Sequence, residues 1–133
     1  AEAVAGIYRR LQGEGMLNVV VLGDLNDTPD SDVLAPLLAD TDLADVSRHE
    51  RFTDFEFNAN TGDRGIGTFG TGRDKDKIDY ILLSPALFAK IARGGIFRKG
   101  AWTASGRWKV YPELTAEKHA ASDHHLIWVD IDL

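Results

Sequence analysis

Lys77-Ile78-Asp79-Tyr80-Ile81-Leu82-Leu83-Ser84 is the stretch whose reading decides the fold. Ile78, Tyr80 and Leu82 alternate with Asp79, Ile81 and Leu83, which predicts a strand over 77–84. Asp79 stands in that strand among apolar neighbours. A carboxylate in such a place is costly unless it is paired, so Asp79 demands a partner from elsewhere in the chain.

Working outward, Leu17–Leu22 (LNVVVL) has the pattern of a short strand buried on both faces. It runs into Gly23-Asp24-Leu25-Asn26-Asp27-Thr28-Pro29, polar turn chemistry at a strand's C-terminal end. The chain closes with Leu126–Leu133 (LIWVDIDL), where Ile127, Val129, Ile131 and Leu133 share a face and Asp130 and Asp132 point away. Ala1–Gln12 reads as a helix with Val4, Ile7, Tyr8 and Leu11 on its apolar side and Gly13 as its stop. No capping residue precedes it, as expected of a cut element. Ser31–Ala39 is a short helix in which Pro36 marks a kink or the first turn. Phe52, Phe55 and Phe57 anchor an irregular segment over 47–61, and the five glycines of Gly62–Gly72 make a loop. Ser84-Pro85 opens a helix running to about Ala92 and closed by Gly94-Gly95. Trp102–Tyr111 is loop or irregular strand.

Composition narrows the class. A chain of 133 residues has the size of one domain, and 44% apolar with 27% charged residues suits a globular one. The absence of cysteine excludes a disulfide scaffold, thiolate metal sites and cysteine nucleophiles. No apolar run approaches the roughly 20 residues of an integral membrane segment. The net charge of −6 is unevenly spread: residues 1–63 carry 4 basic against 13 acidic side chains, residues 64–109 carry 10 against 3, and residues 110–133 carry 1 against 5. The basic block is a solvated face or a surface for an anionic substrate, with Arg73, Lys75, Lys77, Arg98, Lys99, Arg107 and Lys109 as candidates.

Three polar clusters sit at strand ends. Asp24 and Asn26 lie two apart, so in extended backbone they project to one side. Asp79 is the second, and Ser122-Asp123-His124-His125, just before the last strand, is the third. Taken singly, the first is an Asx-rich turn and the third a polar turn, or a crude metal site with His119. Together, Asp24, Asn26, Asp79, Asp123 and His124 supply hard oxygen ligands, a histidine and a carboxylate to orient it. Those are the parts for hydrolysing a phosphate ester. Other motifs fail on context. Gly65-Ile66-Gly67-Thr68-Phe69-Gly70 spells a dinucleotide fingerprint but lacks the strand before and the helix after. Pro29 stands where a calcium loop needs its glycine, and no G-x-S-x-G elbow occurs.

In the order GDLN (Gly23–Asn26), KIDYILLS (Lys77–Ser84) and SDHH (Ser122–His125), the chain resembles the endonuclease/exonuclease/phosphatase superfamily. That group includes deoxyribonuclease I, apurinic endonucleases, inositol polyphosphate 5-phosphatases and neutral sphingomyelinases. The resemblance implies an α+β fold: half of a four-layered α/β/β/α sandwich, mainly one mixed or antiparallel sheet with flanking helices. It implies Mg²⁺-dependent attack of water on a phosphoester, with Mn²⁺ as a substitute. Asp24 would handle the attacking water's proton or bind metal, and Asn26 would hold a phosphoryl oxygen. Asp123 would join the metal site, His124 would bind the scissile phosphate, and Asp79 would orient His124. Arg73 and Lys75 would add charge toward the substrate. The matched motifs are those of the family's C-terminal half, so residues 1–133 are expected to be that half. The N-terminal half, with its metal-binding glutamate, would be the missing partner. On this reading the fragment is inactive alone, and its bare inner sheet face leads it to self-associate. The substrate class stays open among nucleic acid, phospholipid and inositol phosphate. A non-catalytic module binding a partner through that face is the alternative.

Overall fold

The computed structural model describes residues 1–57, 63–103 and 106–133. The parts of the expectations that fall on residues 58–62 and 104–105, Gly62 included, lie outside the described residues. The elements in chain order are α1 (Glu2–Gly13), β1 (Val20–Asp24), α2 (Ala35–Leu38), β2 (Ala44–Asp45), β3 (Phe52–Phe55), β4 (Asp79–Leu83), α3 (Pro85–Phe88), β5 (Ile91–Phe97) and β6 (Leu126–Ile131). The architecture is α+β, and its two small sheets with few helices match part of a deoxyribonuclease I-like sandwich.

Hydrogen bonding divides the strands into two three-stranded sheets, ordered β1-β4-β2 and β3-β5-β6. The expectation was mainly one sheet. The division has a local cause at the Asp79 end of β4. There the Ile78 and Asp79 N–H groups donate to Thr68 Oγ1, at 3.1 and 2.9 Å, and the Asp79 carbonyl accepts from Lys77 Nζ at 2.9 Å. Side chains occupy the ladder positions that a neighbouring strand would need. The mixed character is present in the second sheet, where β3 runs parallel and β6 antiparallel to β5.

β4 pairs antiparallel with β1 along its length, Val20 opposite Leu83 through Asp24 opposite Asp79. As the alternation predicts, Tyr80 and Leu82 are buried on one side, where they join Ala5, Tyr8, Leu34, Leu37 and Leu43 beneath α1 and α2. The other side is covered at β4, where Leu83 and Ile81 join a second core, and open at β1: Leu22 is 70% exposed and Val20 44%. β1 is therefore covered on one face only, not both, because nothing described packs over Val20 and Leu22. In α1 the buried stripe is Ala5 and Tyr8, while Ile7 is 52% exposed. Pro36 sits in the first turn of α2.

The helix expected from Ser84 to Ala92 is a single turn, α3, and the chain then extends as β5. Gly94 and Gly95 are not a helix stop. A Cβ on Gly94 would lie 2.8 Å from the Phe52 ring, and one on Gly95 1.8 Å from the Asp54 carbonyl oxygen. The glycines are there because β3 approaches too closely for any side chain. Ser84 stands at the N-cap of α3, as expected, but its side chain makes no capping bond: its hydroxyl donates to the Leu17 carbonyl and accepts from the Val19 N–H. In β6, Ile127, Val129 and Ile131 pack toward the second core with Phe52, Leu83, Leu87, Ile91 and Ile96, as predicted, whereas Leu133 is exposed.

Candidate active site

Antiparallel pairing places Asp24 directly opposite Asp79 at one end of the first sheet. Two like charges facing across a strand pair repel unless a proton or cation lies between them. His124, on the approach to β6, provides one counter-charge. Its Nδ1 is 2.9 Å from Asp79 Oδ2, and ligand atoms of Asp24, Asp79 and His124 all fall within 4.8 Å of one another. This is the partner that Asp79 required.

Each member is held locally. Asp24 Oδ1 accepts the Asn26 N–H at 2.8 Å, and Asn26 takes a left-handed backbone (φ 53°) to allow the turn. The His124 N–H donates to Ser122 Oγ at 3.0 Å, and the Phe69 ring lies 5.0 Å from the imidazole. The hydrogen bond that His124 donates to Asp79 holds the histidine above its ordinary pKa. Partial burial opposes that, and the charges of Asp79, Asp24 and Asp123 reinforce it. With Nδ1 bound to Asp79, Nε2 is the ring atom left for a substrate.

The group opens onto a cavity of about 510 Å³ with Leu22, Ile81 and Leu126 among its walls, so polar chemistry sits at the rim of an apolar surface. Of the residues expected at the site, Asp24, Asp79 and His124 come together. Asn26 is exposed beside them. Asp123 is exposed, lies outside the three-residue group and faces a separate cavity with Trp102 and Glu117. Arg73 is half-buried and Lys75 exposed, and neither lines the main cavity.

The expected basic surface needs correction at two positions. Lys77 is fully buried: it pairs with Asp45 at 3.3 Å, stands 4.0 Å over the Tyr80 ring, and is pulled below the usual lysine pKa by burial. Arg98 is also buried. It donates to the Gly65 and Gly67 carbonyls and lies between Phe57 and Trp108. Both hold the fold, so neither can meet a substrate.

Sequence reasoning missed Thr68 and gave His125 no role. Thr68 is fully buried and bonds the start of β4. His125 is buried against Trp108 and is neutral, its pKa pushed down to about 4 chiefly by burial. Its Nδ1 therefore donates to the Gly67 carbonyl, which can only accept, at 3.2 Å. Nothing in the glycine-rich loop, which also holds Thr71, set Thr68 apart in the sequence.

Donor chemistry also tests a hard cation. Asp24 has one oxygen free of hydrogen bonds among the described residues and no ion pair, and it faces a second carboxylate. That set fits a cation such as Mg²⁺, which keeps several waters and takes one or two carboxylates.

The model of the "Endonuclease/Exonuclease/phosphatase family" matches residues 4–124. No curated protein and no solved structure matches the chain.

Proposed function

Because the chain belongs to the endonuclease/exonuclease/phosphatase family, a group of phosphoester hydrolases, we propose that its site hydrolyses a phosphoester by Mg²⁺-dependent attack of water. The observation that carries this reading is the 2.9 Å Asp79–His124 bond set beside Asp24. Asp79 fixes the histidine tautomer and favours its charged form, so Nε2–H donates to the scissile phosphate and offsets charge as it grows. Asp24, at the mouth, orients the attacking water and receives its proton. Asn26 offers its amide to a phosphoryl oxygen, and Arg73 and Lys75 stand as outer contacts to an anionic substrate. Asp24 would hold the metal, Mg²⁺ or Mn²⁺, which would supply charge neutralisation and a more acidic bound water; Asp123, turned to a separate cavity, would join it only if the approach to β6 moved.

Substrate range within this reading spans nucleic acid, phospholipid headgroups and inositol phosphates. The bare face at Leu22 supports a further element of the proposal: a second apolar sheet packs there and completes the site. It equally favours the second reading, a non-catalytic module that binds a partner through this face.

Turnover of bis(p-nitrophenyl) phosphate by the full-length protein, titrated with Mg²⁺, tests these ideas. His124→Ala and Asp79→Asn are expected to lower kcat about 10²–10⁴-fold while circular dichroism stays native. Unchanged turnover in both would sink the assignment to this site, whereas no Mg²⁺-dependent turnover by the wild type would sink the hydrolase reading and leave the binding module. Residues 1–133 alone are expected to be inactive; robust Mg²⁺-dependent turnover from them would remove the need for a second sheet.

A further inference from the structure

β4 and the approach to β6 carry the two members of the catalytic pair, yet no strand ladder joins them among the described residues. Thr68 stands between. Its hydroxyl accepts the N–H groups of Ile78 and Asp79, at 3.1 and 2.9 Å, and its carbonyl accepts the His125 N–H at 2.7 Å. The next residue, Phe69, forms an isolated antiparallel bridge with His124. We propose that Thr68 is a positioning residue that sets the separation of Asp79 and His124, its side chain gripping one backbone and its carbonyl the other.

Physical reasons favour this assignment over simple packing. One hydroxyl oxygen satisfies two half-buried N–H groups that have no other partner among the described residues. A β-branched side chain is stiff at χ1, so the oxygen is held at a fixed place. The loop behind it is itself anchored. Arg98 and His125 both donate to the Gly67 carbonyl. A Cβ on Gly67 would lie 2.0 Å from the Arg73 carbonyl oxygen, so the loop closes on its own return leg. Thr68 and Phe69 N–H both donate to the Asp76 carbonyl at 3.1 Å. A loop so held cannot slide, and a shift of the hydroxyl moves Asp79 relative to His124. The catalytic consequence rests on the hydrolase reading; the clamp does not.

NMR on the 133-residue chain and kinetics on the full-length protein separate the two. Thr68→Val is expected to cost the Ile78 and Asp79 amides about tenfold or more in exchange protection. It should also abolish the downfield Nδ1–H signal of His124. Thr68→Ser, which keeps the hydroxyl, is expected to restore both, with β5–β6 amides as the internal control. With bis(p-nitrophenyl) phosphate, Thr68→Val should lower kcat about 10–100-fold at nearly constant KM. Should the valine variant fail to fold, Thr68→Cys keeps a weaker acceptor in similar space and is expected to show an intermediate loss. The clamp is overturned if the His124 signal survives in Thr68→Val or if serine fails to rescue it. Loss of that signal in a protein that never turns over ester supports the clamp and overturns the hydrolase reading instead.

Discussion

The two faces of the β1–β4 pair are built from the same alternating strands and do opposite work. On one face Tyr80 and Leu82 are sealed beneath α1 and α2, with exposures of 1% and 0%. On the other, Leu22 is open, and the same strand pair ends in Asp24 and Asp79. The covered face supplies the burial that makes the strands rigid. The open face takes that rigidity and uses it to hold two carboxylates and a histidine in a fixed triangle. A site on paired strands is positioned more sharply than one on loops alone.

The comparison breaks first under truncation. Leu82→Ala is expected to destabilise by about 3–4 kcal/mol, from lost burial plus the cavity left under α1. Leu22→Ala, one strand away on the open face, should change stability by less than about 0.5 kcal/mol. Urea unfolding of the two variants checks this. A large loss from Leu22→Ala would mean that in solution the open face is covered, by a second copy or another sheet, and sedimentation velocity would tell which.

Much of this was legible in sequence, and the reasons for the rest are specific. Period-two alternation in 77–84 gave the strand and assigned Tyr80 and Leu82 to one face. It could not say that the other face would lie open at Val20 and Leu22 and covered at Leu83, since covering depends on which elements pack there. Asp24, Asn26, Asp79, Asp123 and His124 were grouped because all lie at strand ends; the need for a partner flagged Asp79, and only the resemblance named His124. Gly94-Gly95 misled because glycine serves both helix ends and close strand approach, and only the neighbour, β3, decides between them. Lys77 and Arg98 were read as surface charge although both are buried, because burial of a cation depends on partners remote in sequence: Asp45 for one, the Gly65 and Gly67 carbonyls for the other. Thr68 was invisible for the same reason.

Adjacent histidines sharpen the contrast next, since one faces the open side and one the interior. His124 has a raised pKa in the fold, so its contribution is fully present below about pH 6.5 and fades as pH rises through the folded value. His125 has the reverse sign. Its folded pKa of about 4 lies below the unfolded value, so its contribution is present above about pH 6.5 and is lost as pH falls toward 4. Complete titration is expected to cost roughly 3 kcal/mol. Urea midpoints of wild type and His125→Gln, compared at pH 7 and pH 4.5, read this out: the wild type should lose more on acidification. Equal losses would show that His125 is already charged in the native state.

Surface charge gives the smallest effect. Lys77–Asp45 and Arg93–Asp130 are both ion pairs, the first almost wholly buried and the second with side chains 71% and 50% exposed. The exposed pair has the shorter contact, 2.7 Å against 3.3 Å. Distance alone would rank it stronger. Water reverses that ranking: solvent and salt screen the Arg93 pair, and its guanidinium also rests over the Trp128 ring without needing Asp130. Asp130→Asn is therefore expected to change stability by less than about 0.5 kcal/mol, and less again in 0.5 M salt. A loss above about 1.5 kcal/mol, measured by urea unfolding at both salt concentrations, would show that β5 and β6 depend on this pair. The second sheet would then be held by charge as firmly as the covered face of the first is held by burial.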